Sequence, residues 1–371
     1  MADQGLMDFL SGVQMTELAA AQSIKRGLPW RLPDKLMEAS PEKPVGMQIM
    51  YDSITGNRQL AQMVSHLDPS RRAETPGVTR KFATALGTKE HLALDSERIL
   101  ALKSNLPVVA DRAKRYLVND IANFRSRQDN LKLSLVTSVF ANQGKIYYDD
   151  KGNLLPTSSG AYNTIDFVVP SGNVRVKTDT IGSSSVTVGD WSSTSTDIPN
   201  TLRTLRQQNL QANNYNLVHI FYGKNIPSYL AANTEMQTFM SRQNPETNRA
   251  FLQTNEVPQG LLDYQWHPVG DAYFVDQNGT VQQWFADNKV VVVPEISSDW
   301  YEYYEAGTLV PNQFAAMGSD PEQMINNCFV ANGNFAYCVF GIDPIAVKIV
   351  GGWYGLPCIK VPSVLWDLTV S

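Results

Sequence analysis

Between residues 107 and 143 the chain reads PVVADRAKRYLVNDIANFRSRQDNLKLSLVTSVFANQ, with no glycine and no proline after the first position. Apolar side chains fall at Ala113, Leu117, Ile121, Phe124, Leu131, Leu135 and Val139, in steps of three, four or seven that keep one stripe on one helix face. Ser104 or Asn105 can cap the start, Pro107 suits the first turn and Gly144 can end it. At about 1.5 Å per residue the predicted helix is a rod of about 50–55 Å. A sphere built from a chain of this length would be roughly 55 Å across. The helix therefore crosses the whole molecule, which predicts a spine with sheets hung on it. Its charged face (Arg112, Lys114, Arg115, Asp120, Arg125, Arg127, Asp129) reads as solvated surface, and the apolar spacing is too irregular for a coiled coil.

The period changes to two directly after the spine. In GKIYYDDKGNLL, strand formers from Lys145 to Tyr148 meet the corner Asp149-Asp150-Lys151-Gly152, and Leu154 and Leu155 resume the strand. A calcium loop would need acids at alternate positions and a distal glutamate, so the two aspartates read as a hairpin corner. YFVDQNGTVQQWF repeats the construction with Asn278-Gly279 at its tip.

The remaining patterns set the organisation. A helix is expected around Met7 to Ile24, followed by a proline-rich stretch, so residues 1–47 read as an extended arm. Residues 48–95 hold strand-like MQIMYDSI and VTRKFAT around the polar centre DPSRRAETPG, too poor in apolar residues for a core of its own. The Ser/Thr-rich SSSVTVGDWSSTSTD sets a boundary near residue 186. Beyond it come a helix from Pro199 to Ala212 capped by Asp197, the buried strand NLVHIFYG, and a helix from Pro227 to Ser241 with Asn225 near its start. Strands follow around 272–276, 280–286 and 288–294. The tail, with AYCVFG, AVKIVGG and VPSVLWDLTV, is strand-rich and expected to return into a sheet.

The chain has 371 residues, 43% of them hydrophobic, enough for a substantial core. A formal charge of −5 gives no general attraction to nucleic acid or an anionic membrane. No apolar run approaches the roughly 20 residues that span a bilayer, and MADQGLMDFLSGVQ lacks the pattern of a secretion signal. Cys328, Cys338 and Cys358 sit apart in apolar surroundings and read as reduced core residues. His66, His91, His219 and His267 are scattered and form no metal or triad motif with their sequence neighbours. Nucleophile-elbow, phosphate-loop and dinucleotide fingerprints are missing, and no cofactor or metal is expected. The best enzyme alternative is SSDWYEYYEAG, where Asp299, Glu302 and Glu305 stand among aromatics as a carbohydrate-active site requires. Read at helical spacing, however, these acids form a solvated face with aromatics at an interface.

The order of arm, hairpin-like loop, spine, strand hairpin, mixed domain and returning strands resembles the major capsid protein of tailed bacteriophages, and more narrowly the lambda-like major head proteins. The local matches are RYLVNDIANFRSRQDNLKLSLVTSVFANQGKIYYDD, the GDW with its linker and helix at residues 189–212, HIFYGKNIPSYLAAN at 219–233 and VQQWFADNKVVVVPE at 281–295. The resemblance covers about residues 45–371. It implies an α+β, Hong Kong 97-type capsid fold without catalytic residues: arm 1–47, extended loop 48–95, peripheral domain 96–185, axial domain 186–340, and strands at 341–371 returning to the peripheral domain. It also implies hexamers and pentamers forming an icosahedral shell around double-stranded DNA in the virion, assembled in the host bacterial cytoplasm. Scaffolding, portal and decoration proteins are further partner candidates, with no membrane. Contact candidates between copies are Arg71, Arg72, Arg80 and Lys81 in the loop, and Trp300, Tyr301 and Glu302 in the aromatic segment. A tail component or a cargo-encapsulating shell protein is the structural alternative.

Overall fold

A computed structural model of the chain describes residues 32–44, 46–55, 77–94, 96–102, 104, 106–182, 184–242, 256–270, 273–275, 279–311, 328–341 and 346–371. The helix expected at Met7–Ile24, residues 68–76 of the polar centre and Asn278 lie outside these residues.

After a short 3-10 turn at Asp34–Met37, strands β1 (Gln48–Thr55) and β2 (Gly77–Thr84) pair antiparallel along all eight residues. Strand β3 (Leu86–Leu94) and helix α1 (Ser96–Leu102) lead to the spine, α2, which spans Pro107–Ala141. Its start is not capped as expected: Leu106 holds the N-cap position, and Ser104 Oγ accepts the Leu106 N–H instead of a helical one. The end behaves as the sequence suggests. Gly144, at φ +75°, lets its N–H reach the Val139 carbonyl while Asn142 N–H bonds Ser138. Leu117 and Ile121 mark the single buried stripe of the first half, whereas every residue from Ser134 to Ala141 is buried. The composition explains the change, since charges crowd positions 111–129 and SLVTSVFA carries none.

Strand β4 (Lys145–Tyr148) pairs with β5 (Leu154–Leu155) and β6 (Asn163–Asp166). At the corner Asp149 accepts the N–H groups of Lys151 and Asn153 at 2.9 and 2.7 Å and the Asn153 side-chain amide at 2.8 Å, so its carboxylate is used inside the hairpin. Then follow β7 (Val174–Val176), α3 (Ile198–Asn213), β8 (Leu217–Tyr222), α4 (Ile226–Ala232) and α5 (Thr234–Arg242). Asp197 caps α3 by accepting the Asn200 N–H at 3.0 Å. The single helix expected over 227–241 is two. Buried Asn233 breaks it: its side chain caps α5 through the Met236 N–H and donates to the Thr196 carbonyl at 2.8 Å.

Strands β9 (Gln265–Pro268), β10 (Tyr273–Val275), β11 (Val281–Gln283) and β12 (Lys289–Pro294) follow, with β10 and β11 forming the second expected hairpin. Strands β13 (Tyr301–Glu305), β14 (Gly307–Pro311), β15 (Cys328–Asn332), β16 (Asn334–Gly341), β17 (Ala346–Ile359) and β18 (Trp366–Thr369) complete the chain.

Two sheets organise these elements. One has the order β7-β18-β12-β8-β9; in the other, β17 pairs with β13, β16 and β3. After Lys289 the run VVVVP of β12 is apolar without alternation because both its faces are buried. Val290 and Val292 face a core shared with α3, α4 and α5, while Val291 and Val293 enter the spine core beside Val136, Val139 and Phe140. Phe140 meets Phe221 of β8 at 5.1 Å between ring centroids.

Sheet membership does not follow the boundaries expected at 186 and 340. Strands β13 and β16 join the sheet of β17 and β3, whereas β18 and β7 lie in the helix-covered sheet. The tail thus divides between the two units instead of returning whole to the spine. β3, expected in the loop, is likewise a full sheet member. Cys338 and Cys358 are buried, Cys328 is half-buried, and all three are free thiols.

Candidate functional site

The β1–β2 hairpin is two-faced because its register puts alternate residues on opposite sides. Ile49 and Tyr51 turn into the spine core. On the other side Met50 stands opposite Phe82, Asp52 opposite Arg80 and Ile54 opposite Val78. Met50 and Phe82 are 50% and 67% exposed, Val78 is also exposed, and between them Arg80 Nε lies 3.2 Å from Asp52 Oδ1. Two apolar pairs thus flank an ion pair on one exposed face, and Met, Phe and Arg are residue types enriched at contact faces. Arg80 is at the middle of this face, and half-buried Lys81 lies on the reverse side opposite Tyr51. Arg71 and Arg72 lie outside the described residues.

The aromatic segment is placed differently. Trp300 and Tyr301 are fully buried in the spine core, where Trp300 donates to the Glu295 carbonyl at 2.8 Å and Tyr301 to the Leu36 carbonyl at 2.8 Å. Their surfaces are spent inside the chain. The segment is strand β13, not helix, so Glu302 and Glu305 point to opposite faces. Glu302 bonds Ser40, Tyr304 and Lys360. Burial works against its carboxylate, but these three partners outweigh it and hold the carboxyl below the usual range. Glu305 pairs with Lys132 of the spine at 2.7 Å, and that ammonium also lies over the rings of Tyr303 and Trp353. Each acid is thus neutralised by its own lysine on its own side, which is not the facing carboxylate pair of a glycosidase. Through Ser40 and the Ala39–Tyr303 bridge, the arm is bound along β13.

One cluster was invisible as a motif. Parallel pairing of β8 with β9 brings His219 Nδ1 to 3.0 Å from His267 Nε2; His219 Nε2 lies 3.3 Å from Glu295, which Lys35 of the arm pairs at 3.0 Å. The two histidines are 48 residues apart, and only the register of two strands could have joined them. Burial pushes the His219 imidazole below its ordinary pKa, overriding the Glu295 carboxylate. A depressed histidine contributes stability that is present above the unfolded pKa of about 6.5 and lost as pH falls through the folded value. The wild-type chain should therefore lose up to about 1.4 kcal/mol per pH unit through this group below pH ~6.5. His219→Phe should flatten that part of the profile in thermal melts; an unchanged slope would remove His219 as its source.

Among the described residues no group of three or more His, Cys, Asp or Glu is placed to hold a metal, and no helix is long and apolar enough to cross a membrane.

The described residues thus form a spine carrying two sheets and a hairpin with an exposed apolar face. A family model described as phage major capsid protein E matches residues 14–306, and the chain belongs to that family. It is a structural capsid protein, and its place is the virion capsid. Among solved structures it is similar to the capsid protein assigned to a prophage of Escherichia coli CFT073, at 13% identity over 98% of this chain and 99% of the other, with a TM-score of 0.53, which supports the fold. It also matches a chain from Gordonia phage Cozz at 10% identity over 94% of this chain and 91% of the other, with a TM-score of 0.45. No curated protein sequence matches.

Proposed function

We propose that the chain assembles with its own copies, as hexamers and pentamers, into a closed icosahedral shell around phage double-stranded DNA, on a Hong Kong 97-type fold. The β1–β2 hairpin then serves as the extended loop laid on the next subunit. The spine, the β4–β6 hairpin and the β17 sheet form the peripheral domain, and the helix-covered sheet forms the axial domain. The observation that carries this reading is the exposed hairpin face of Met50, Phe82 and Val78 around the Arg80–Asp52 pair. A head-to-tail contact that closes on itself generates rings, and many modest interfaces of about 1,000–2,000 Å² hold a shell without any single strong bond. A net charge of −5 suits a wall that must not grip the DNA it encloses. Glu302 and Glu305 are each engaged with a lysine and serve structure, and no residue is assigned a catalytic role.

Size-exclusion chromatography and negative-stain electron microscopy of the expressed protein test the proposal. Closed shells or rings of five and six support it, open tubes favour a tail component, and shells filled with a co-expressed enzyme favour cargo encapsulation. A chain that stays monomeric even with its neighbouring genes co-expressed overturns it. Phe82→Asp should leave the thermal melt within about 0.5 kcal/mol of wild type, as exposed substitutions do, and abolish rings and shells. Assembly undiminished by this change would remove the hairpin face from the interface.

A further inference from the structure

Where α1 meets the first half of α2 there is a pocket of about 370 Å³ that the hairpin contact does not use. Leu94, Leu102, Ala113 and Leu117 form its apolar wall, and Arg98 and Arg112 stand at its polar rim with Asp120, 3.4 Å from Arg98. Val109 and Tyr116 line it and are exposed; Leu100, Leu106 and Val108 on the same two-helix corner are exposed as well. So much apolar surface on one helical corner requires a cover.

The charge of the corner says what covers it. Residues 94–120, the span that lines the pocket, carry five cations (Arg98, Lys103, Arg112, Lys114, Arg115) and four acids (Asp95, Glu97, Asp111, Asp120), a net +1, with Arg98 and Arg112 on the lining itself. Residues 1–24 carry Asp3, Asp8 and Glu17 and no basic side chain, a net −3. Within that segment Leu6, Phe9, Leu10 and Val13 stand at i, i+3, i+4 and i+7, the spacing with which an amphipathic helix fills an apolar groove. Reach is sufficient. The spine residues that share a core with Leu36 begin their fully buried run near Leu135, about 33 Å along the axis from Ala113. Residues 25–31 span about 23–25 Å when extended, and the helix expected at Met7–Ile24 would add about 27 Å.

We infer that the groove between α1 and the first half of α2 is the docking site of residues 1–24 of this chain, with Leu6, Phe9, Leu10 and Val13 entering it and the acids meeting Arg98 and Arg112. This contact goes beyond shell formation and is tested on the unassembled protein.

A benzophenone side chain placed at position 9 of the full-length chain and irradiated should form its adduct within residues 98–117, as read by mass spectrometry of the digested protein. An adduct within one chain or between two copies reads the same contact. Val109→Asp with Tyr116→Asp should lower the yield several-fold. Because these changes alter the pocket itself, a charge swap provides the second arm: Asp3→Lys with Asp8→Lys should lower the yield, and adding Arg98→Glu with Arg112→Glu should restore it. Adducts on the β1–β2 hairpin or elsewhere overturn the assignment. So does a yield that none of these substitutions changes.

Discussion

Replacing Lys289 with methionine should cost the subunit about 3–5 kcal/mol, the penalty for leaving a buried charge without its partner. Lys289 sits at the start of β12 with its ammonium 2.7 Å from Asp367 Oδ2 of β18, and it also donates to the Ala141 carbonyl in the last turn of the spine. One side chain therefore ties the spine's negative end to the central strands of the helix-covered sheet. Asp367 is 1% exposed, and burial pushes its carboxyl up against the pull of Lys289. In the variant nothing opposes burial, so the folded carboxyl titrates further above the unfolded value of about 3.9. A raised folded pKa contributes stability that is complete below the unfolded pKa and lost as pH rises. The deficit in urea midpoint relative to wild type should thus be largest at pH 7 and narrow toward pH 4. Lys289→Met combined with Asp367→Leu should recover most of the loss, since an apolar pair of similar volume often replaces a buried ion pair at little cost. A single variant as stable as wild type at pH 7, or a deficit that does not narrow in acid, would sink this account.

What was legible in the sequence is what local chemistry dictates. The spine followed from an uninterrupted stripe, the Asp149 corner from four turn residues, and the start of α3 from Asp197 one residue before its helix. The exposed hairpin was half legible: MQIMYDSI and VTRKFAT were readable as strands, but which face points outward depends on Ile49 and Tyr51 finding the spine core. Pairing between distant strands was not legible. β17 meets β3 across most of the chain, and β18 enters the sheet of β8 and β12, because residues that pair across a sheet need not resemble one another locally. That is why the expected boundaries at 186 and 340 cut through both sheets.

The candidate site shows the same division. Reading SSDWYEYYEAG at helical spacing grouped Asp299, Glu302 and Glu305, yet a run holding Tyr301, Tyr303 and Tyr304 has strand propensity, and a period of two separates Glu302 from Glu305. That signal was available. Trp300 and Tyr301, offered as contact residues, serve the core because large aromatics supply the most apolar area per residue. The His219–His267 pair and the Lys289–Asp367 tie had no local trace, since each needs two strands brought into register.

The spine gives the most direct test of the whole architecture, and Leu117→Pro should remove cooperative folding altogether. Proline in a helix interior removes a backbone donor and clashes with the preceding turn, at about 3 kcal/mol or more. At this position a second loss adds to it. Leu117 is 2% exposed, in a small cluster with Leu94 of β3, Ile121 of the spine and Ile349 of β17. A kink there pulls the spine away from β3 and from β17, the strand with which all the others of the four-stranded sheet pair, so the loss is not confined to one turn. Leu117→Ala separates the two effects: it removes the packing alone, should cost about 2–5 kcal/mol, and should still give a single, lowered melting transition. The proline variant should instead give insoluble protein, or soluble protein whose near-ultraviolet circular dichroism shows no fixed packing. If it melted as sharply as the alanine variant, residues 107–141 could not be one continuous helix on which the sheets depend.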